Sequence, residues 1–255
     1  METIIPKIST SLLALFKADI TTQWRNRRSV VLMLLVPVLI TISWQSAIRL
    51  TGGPFVLSNG IGLGLIAMGL MGYSNSIARD REKGIFQRLR VAPVPSWAIM
   101  MSRLLVQLIM MVLITTIVFI VGKTCDGIKL TPIGYILTYF TAFISGAVYL
   151  SLGQVIVGLI KNSETVNSTS RLVYFVFVMT SMVAVIGATS HDKGLGTMIA
   201  NAVKWTPYGT VTTMLSASMQ PEKWTMDTTW ALLITIGYII VFAGIGIQKF
   251  KWESK

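Results

Sequence analysis

Long apolar runs dominate this sequence, and several of them reach the roughly 20 residues with which an α-helix crosses a lipid bilayer. Apolar residues make up 53% of the chain, and the mean hydropathy is +0.68. We therefore predict an all-α membrane protein with six transmembrane helices, in which the 255 residues leave little room for a soluble domain. The predicted spans cover about residues 30–48, 59–77, 98–121, 132–160, 168–188 and 228–247.

Two segments outside the spans also have helical character. Within residues 8–28, apolar residues recur every four positions while charged and polar residues take the other face, which predicts an amphipathic helix in the headgroup region. Residues 189–227 form an extracellular connection in which we expect short interfacial or partly re-entrant helices. The apolar stretch between Lys7 and Lys17 is too short for the core of a cleavable signal peptide.

The spans themselves carry two helix-modifying signals. Pro37 lies inside the first span and predicts a kink there. The second span is rich in glycine, and Gly60 and Gly64 form a pair of small residues four apart, which favours close helix packing over a role in conduction.

Charge distribution predicts the orientation. The formal net charge is +12 at pH 7, and in a multispan protein an excess of Lys and Arg marks the cytoplasmic side rather than nucleic-acid binding. With the N-terminus inside, roughly sixteen Lys and Arg residues fall on cytoplasmic segments and six on outer segments. We expect a multi-pass protein of the cell membrane with both termini in the cytoplasm.

Several classes of function are disfavoured by what the sequence lacks. Gly122-Lys123-Thr124 resembles the end of a phosphate-binding loop, but the required earlier glycine is replaced by Ile117. No acidic residue falls in the middle of a predicted span, where ion-driven carriers need one. One Cys and one His give little basis for a disulfide, a metal site or a membrane enzyme. What remains is a transporter or channel whose energy, if it uses any, comes from another protein.

A charged stretch, residues 78–97, separates the second and third spans and must lie in water. Ile85, Phe86 and Leu89 form an apolar patch on a predicted short helix, surrounded by arginines at 79, 81, 88 and 90. Because an exposed apolar patch in such a loop needs a cover, we expect lipid or a partner protein to lie on it.

The stretch resembles a known family, the permease subunits of ABC-2 type exporters, in particular their drug-exporter branch. Residues 81–94 read REKGIFQRLRVAPV, against an approximate family pattern R-E-x-G-T-x-x-x-L-R-V-x-P-V. The chain departs from the pattern at Ile85, where Thr is usual, and at Gln87, where an acid is common. Residues 161–169 and Trp205-Thr206-Pro207-Tyr208 are similar to two further family segments.

The resemblance implies a half-transporter. A second copy or a homologue would complete the path, and two separate cytoplasmic ABC ATPase subunits would bind and hydrolyse ATP with Mg²⁺, so that this chain binds no cofactor itself and is not an enzyme. The N-terminal amphipathic helix maps onto the family's connecting helix. The residues that map onto the ATPase-coupling helix and its flanks are Arg79, Arg81, Glu82, Gly84, Ile85, Phe86, Arg88, Leu89 and Arg90.

The substrate stays open at this stage. An apolar path favours export of an amphiphilic drug, peptide or lipid; the alternatives are a cell-surface polysaccharide exporter and an ATP-independent channel or scaffold. Polar and aromatic residues within the spans are candidates for the path, although each more often serves helix–helix packing. They are Gln45, Tyr73, Asn75, Gln107, Tyr149, Gln154 and Tyr174.

Overall fold

The computed structural model describes residues 8–25, 27–90, 96–189 and 193–249, and every regular element in these ranges is helical. Five helices there are long and apolar enough to cross a membrane, and a sixth span results if Met33–Ser43 and Gln45–Thr51 are counted together. The prediction of an all-α membrane protein is therefore confirmed.

The helices follow one another with short connections. They are α1 (Ile8–Arg25), α2 (Arg27–Ser43), α3 (Ile48–Thr51), α4 (Gly53–Ile66), α5 (Asn75–Glu82), α6 (Ile85–Arg90), α7 (Ser96–Thr124), α8 (Pro132–Leu159), α9 (Ser163–Thr189), α10 (Lys193–Lys204), α11 (Pro207–Met219) and α12 (Met226–Lys249). Single 3-10 turns occupy Gln45–Ala47 and Pro221–Lys223, and a π-helical segment, Ala67–Ser74, joins α4 to α5.

The first span breaks at a different place from the predicted one. α2 is helical through Pro37, and the break separates Met33–Ser43 from Gln45–Thr51, which differ in direction by 43°. Trp44, between them, has φ −96° and ψ 12°, outside the α region. The bend therefore results from the backbone at Trp44 and not from the proline.

The second span is the central helix of the bundle. The sequence predicts it over residues 59–77, whereas the continuous helix runs for 30 residues, Gly53–Glu82, and takes in the first charged residues of the stretch 78–97. It packs against α2, α7, α8, α9 and α11, and nearly all of its apolar part is buried. By contrast, few residues of α9 and α12 are fully buried, and both helices carry exposed apolar side chains.

Glycines allow the neighbouring helices to approach this central helix closely. A Cβ atom on Gly64 would lie 2.6 Å from Ile114, and one on Gly60 would collide with Thr41. Within the π-helical segment, a Cβ on Gly69 would lie 2.6 Å from the backbone of Tyr149 in α8. The predicted packing role of Gly60 and Gly64 is confirmed.

The connection before the last span contributes to the core. Thr206 caps α11, its hydroxyl oxygen accepting a hydrogen bond from the Gly209 amide at 3.1 Å. α11 packs against α4, α8 and α12, and the Tyr208 hydroxyl donates to the Asn59 side chain. One face of α11 is buried within the bundle, and the interfacial or partly re-entrant position of this connection in the membrane stays a prediction.

Candidate functional site

The end of the central helix turns sharply into α6. The amide of Lys83 donates to the Arg79 carbonyl at 3.0 Å, and the amide of Gly84 donates to the Arg81 carbonyl at 3.1 Å. Gly84 has φ +67°, a left-handed conformation that glycine adopts at little cost at the end of a helix. The turn thus needs a glycine at position 84 to start α6 directly after α5.

Arg81 joins the end of α5 to the end of α8. Its guanidinium donates to the carbonyls of Val157 at 2.8 Å and Ile160 at 2.6 Å, and to that of Lys161 at 2.8 Å. The last carbonyls of a helix have no partner within it and carry its negative pole, so a guanidinium is well suited to them. Arg81 is only 3% exposed, and its guanidinium holds these two helices together.

Arg103 joins α7 to both α5 and α6. One of its guanidinium nitrogens lies 2.7 Å from a carboxylate oxygen of Asp80, and both side chains are largely buried. The guanidinium carbon lies 4.9 Å from the centre of the Phe86 ring, a cation–π distance. Phe86 is 1% exposed. Arg103 therefore connects the span helix α7 with the short helix α6.

α1 is joined to the same place through Asp19. Ser102 immediately precedes Arg103 in the sequence, and its hydroxyl donates a hydrogen bond to the Asp19 carboxylate. Burial raises the pKa of the Asp19 carboxyl; the Ser102 hydrogen bond and the Arg103 charge oppose this shift, and the Asp80 charge adds to it. We call Asp19, Asp80, Phe86, Ser102 and Arg103 the junction, since they bring α1, α5, α6 and α7 together.

A further contact reaches α9. The Ser163 hydroxyl donates to the Glu82 carboxylate at 2.7 Å. Asn162 caps α9, its side-chain oxygen accepting hydrogen bonds from the amides of Glu164 at 2.8 Å and Thr165 at 3.1 Å. The polar turn that begins at Lys161 is thus adjacent to the charged stretch, so α5 and α6 contact elements from three other helices.

The predicted coupling residues differ in their exposure. Arg79 and Glu82 are exposed, and Gly84 and Ile85 are half-buried. The prediction of an exposed apolar patch is wrong for Phe86, since Arg103 and the surrounding helices cover its ring. The side chains of Arg88, Leu89 and Arg90, and residues 91–95, lie outside what the structure describes.

The predicted path residues mostly bond to neighbouring helices. The Tyr73 hydroxyl donates to Gln154 at 2.8 Å, and the Asn75 amide donates to Asn167 at 3.3 Å. The Tyr149 hydroxyl lies 3.4 Å from the Pro207 carbonyl. These three pairs join the central helix to α8 and α9 and join α8 to α11, which is the structural role that polar residues often have between membrane helices.

The other path residues are scattered. The Gln45 amide donates to the Cys125 carbonyl at 3.0 Å, at the end of the bundle away from α6. Tyr174 is half-buried on α9. Gln107 is buried, and with Tyr73 it lines a cavity of about 30 Å³ beside the junction. The seven residues are not brought together in one site.

Sequence reasoning did not select four of the junction residues, Asp19, Asp80, Ser102 and Arg103. The available signal was the position of Asp80 and Arg103, two opposite charges at the facing ends of the second and third spans. Two helices joined by a short connection lie side by side, so charges at their facing ends are expected to pair.

Two comparisons with known proteins bear on this architecture, and one of them gives a match. No curated protein is significantly similar to the chain. The family model described as ABC-2 type transporter matches residues 10–186, from near the start of α1 to near the end of α9. The match thus includes the junction, α6 and the turn that contacts Glu82. Because this match covers more than half of the 255 residues, the chain belongs to the ABC-2 type transporter family.

Proposed function

We propose that the chain is the multi-pass translocation subunit of an ABC-type exporter and that it works with separate ATPase subunits, as its family implies. We propose that α6 and the exposed residues around its turn receive force from a cytoplasmic ABC ATPase, and that the junction passes it to the spans. The observation that carries this proposal is the triple attachment of α5 and α6: Arg81 to α8, Arg103 to α7, and Glu82 to α9.

The buried state of Phe86 changes how this coupling would work. Arg79, Glu82, Lys83 and Gln87 are exposed and are available to a partner. Their individual ion pairs with an ATPase would contribute about 1 kcal/mol or less. Phe86, packed beneath Arg103, would transmit a displacement of α6 to α7 instead of binding the ATPase directly.

The proposed assembly contains two permeases and two ATPases. The exposed apolar faces of α9 and α12 offer surface for a second copy or for lipid. ATP with Mg²⁺ would bind to the ATPases and shift the permeases between two conformations. An amphiphilic drug, peptide or lipid suits the apolar character of the spans, and outward movement follows the family.

The alternatives differ in support. The hypothesis of an ATP-independent channel is based on the glycine-rich second span and on the lack of an energy source within the chain. The first ground is weak, because the glycines of that span allow close helix packing. A polysaccharide exporter shares the proposed coupling and differs only in cargo. If deletion of the gene for this chain removes a surface glycan and leaves amphiphile efflux unchanged, the polysaccharide is favoured as the cargo.

Reconstitution tests the proposal. The chain is co-purified with its ATPase, inserted into proteoliposomes, and assayed for ATP-dependent movement of a fluorescent amphiphile. Lys83→Glu should reduce transport and ATPase stimulation severalfold, whereas Lys129→Glu, an exposed lysine at the opposite end of the bundle, should not. Equal transport without the ATPase, or equal effects of the two substitutions, would contradict the proposal.

A further inference from the structure

A groove of about 460 Å³ opens between α1 and α7, on the outside of the bundle. Ile20, Trp24, Ile109 and Leu113 supply its apolar lining, and Arg25 and Arg27 lie at its edge where α1 passes into α2. Its lining is therefore apolar apart from Thr21 and two arginines that follow one another closely in sequence.

The two arginines are not neutralised by the rest of the described chain. Among the described residues, no carboxylate lies within ion-pair distance of Arg25 or Arg27, and both are exposed. The nearest acid in sequence, Asp19, accepts the Ser102 hydrogen bond on the junction side of α1. The groove edge thus carries two positive charges.

The wall of the groove belongs to a membrane span. Ile109 and Leu113 are in α7, and the exposed side chains of Leu108 and Val112 continue the same apolar surface. Trp24, which is 58% exposed, has the amphipathic indole ring that is enriched at the headgroup level of a bilayer. An occupant of this groove therefore has one end in the hydrocarbon and the other at the headgroups.

We propose that this groove binds one anionic phospholipid. The phosphate would lie on the guanidinium groups of Arg25 and Arg27, and an acyl chain would lie along Ile109 and Leu113. Guanidinium groups bind phosphate oxygens with charge-assisted hydrogen bonds, and the apolar wall excludes a small soluble anion as the full ligand. The proposal depends on the membrane location and the groove, not on the direction or energy source of transport.

A lipid in this position would also hold α1 against α7. The same two helices meet at the junction through Asp19 and Ser102. Bound lipid would therefore stabilise the arrangement of the junction, and its loss would loosen α1 first.

Lipid binding is measured on the full chain in nanodiscs and by native mass spectrometry. The probes are phosphatidylglycerol, phosphatidylcholine with the same acyl chains, and glycerol 3-phosphate. We expect a retained phosphatidylglycerol adduct and a higher unfolding temperature with that lipid alone. Arg25→Gln with Arg27→Gln should weaken phosphatidylglycerol binding about thirtyfold, since each cation near an anionic surface contributes about a factor of five.

Two further variants keep the test decisive. Arg49→Gln removes an exposed arginine elsewhere and should leave the adduct unchanged. Ile109→Trp should displace the acyl chain while keeping both arginines, so it covers the case in which the double variant does not fold. Equal binding of phosphatidylcholine, equal stabilisation by glycerol 3-phosphate, or an adduct that survives both groove variants would overturn the proposal.

Discussion

Asp80 and Arg103 form an ion pair, with 2.7 Å between a carboxylate oxygen at the end of the second span and a guanidinium nitrogen near the start of the third. The pair thus joins α5, which precedes the short helix α6, to α7, which follows it. The same guanidinium contacts the Phe86 ring, so any movement of α6 relative to α7 must disturb this arginine.

This ion pair should contribute more to stability than the exposed pair Lys204–Asp227, which has the same 2.7 Å separation. A double-mutant cycle with Asp80→Asn and Arg103→Gln should give a coupling energy of about 1–3 kcal/mol, because both groups are shielded from water. The cycle for Lys204 and Asp227 should give about 0–1 kcal/mol. Equal coupling energies from denaturation in detergent would contradict the importance given to the junction.

Removal of the Arg81 guanidinium should destabilise the fold strongly. Arg81→Gln removes the guanidinium hydrogen bonds to the carbonyls of Val157, Ile160 and Lys161, and we expect a loss of about 2–4 kcal/mol in the free energy of unfolding. Arg79→Gln, two positions away and exposed, should change stability by less than about 0.5 kcal/mol. If the two variants unfold at the same temperature, Arg81 does not join α5 to α8 as described.

A methyl group at Gly153 should separate α8 from the central helix. A Cβ there would lie 2.6 Å from the Gly69 carbonyl oxygen, and a backbone atom cannot move aside as a flexible side chain can. We expect Gly153→Ala to cost about 1–3 kcal/mol. Gly237→Ala is the control, since a Cβ on Gly237 meets nothing within 4 Å. A stabilised Gly153→Ala variant would show that these helices are less closely packed.

The Asp19 carboxyl should make stability depend on pH. Burial raises the pKa of this carboxyl in the folded chain above its value of about 3.8 in the unfolded chain. The folded chain therefore keeps the carboxyl proton to higher pH than the unfolded chain does. Stability from this group therefore falls as pH rises from 3.8 through the raised folded pKa. Asn cannot lose a proton, so the melting temperature of Asp19→Asn minus that of the wild type should become more positive over this range.

Thermal unfolding at several pH values checks this trend. Glu222→Gln, on an exposed turn remote from the junction, is the control for general effects of removing a carboxyl group. A difference for Asp19→Asn that stays constant, or becomes more negative with rising pH, would show that the carboxyl is not stabilised in its neutral form.

The fold class can be predicted from hydropathy and charge. A helix that crosses a membrane satisfies its backbone hydrogen bonds internally and has apolar side chains along its length, so it is visible in the sequence. Hydropathy and charge did not locate the end of the second span. The helix continues to Glu82 because Asp80 and Arg81 find partners on α7 and α8, and no local pattern records partners from distant parts of a chain.

The candidate site was only partly accessible from the sequence for the same reason. The charge and the family motif of residues 78–97 predict the coupling segment, but they predict Phe86 at the surface. Its burial depends on Arg103, which is 17 positions further along the chain. Likewise, Tyr73 and Gln154 are each ambiguous alone, and only their 2.8 Å hydrogen bond identifies a packing role.

The central claim is that α6 faces the cytoplasm and contacts an ABC ATPase, and cysteine labelling tests it most directly. In a Cys125→Ser background, Gln87→Cys provides one exposed thiol on α6, and Lys129→Cys provides one at the other end of the bundle. The account predicts that a membrane-impermeant maleimide labels only position 129 in intact cells, and that position 87 crosslinks to an ABC ATPase. Labelling of position 87 from outside intact cells would contradict it.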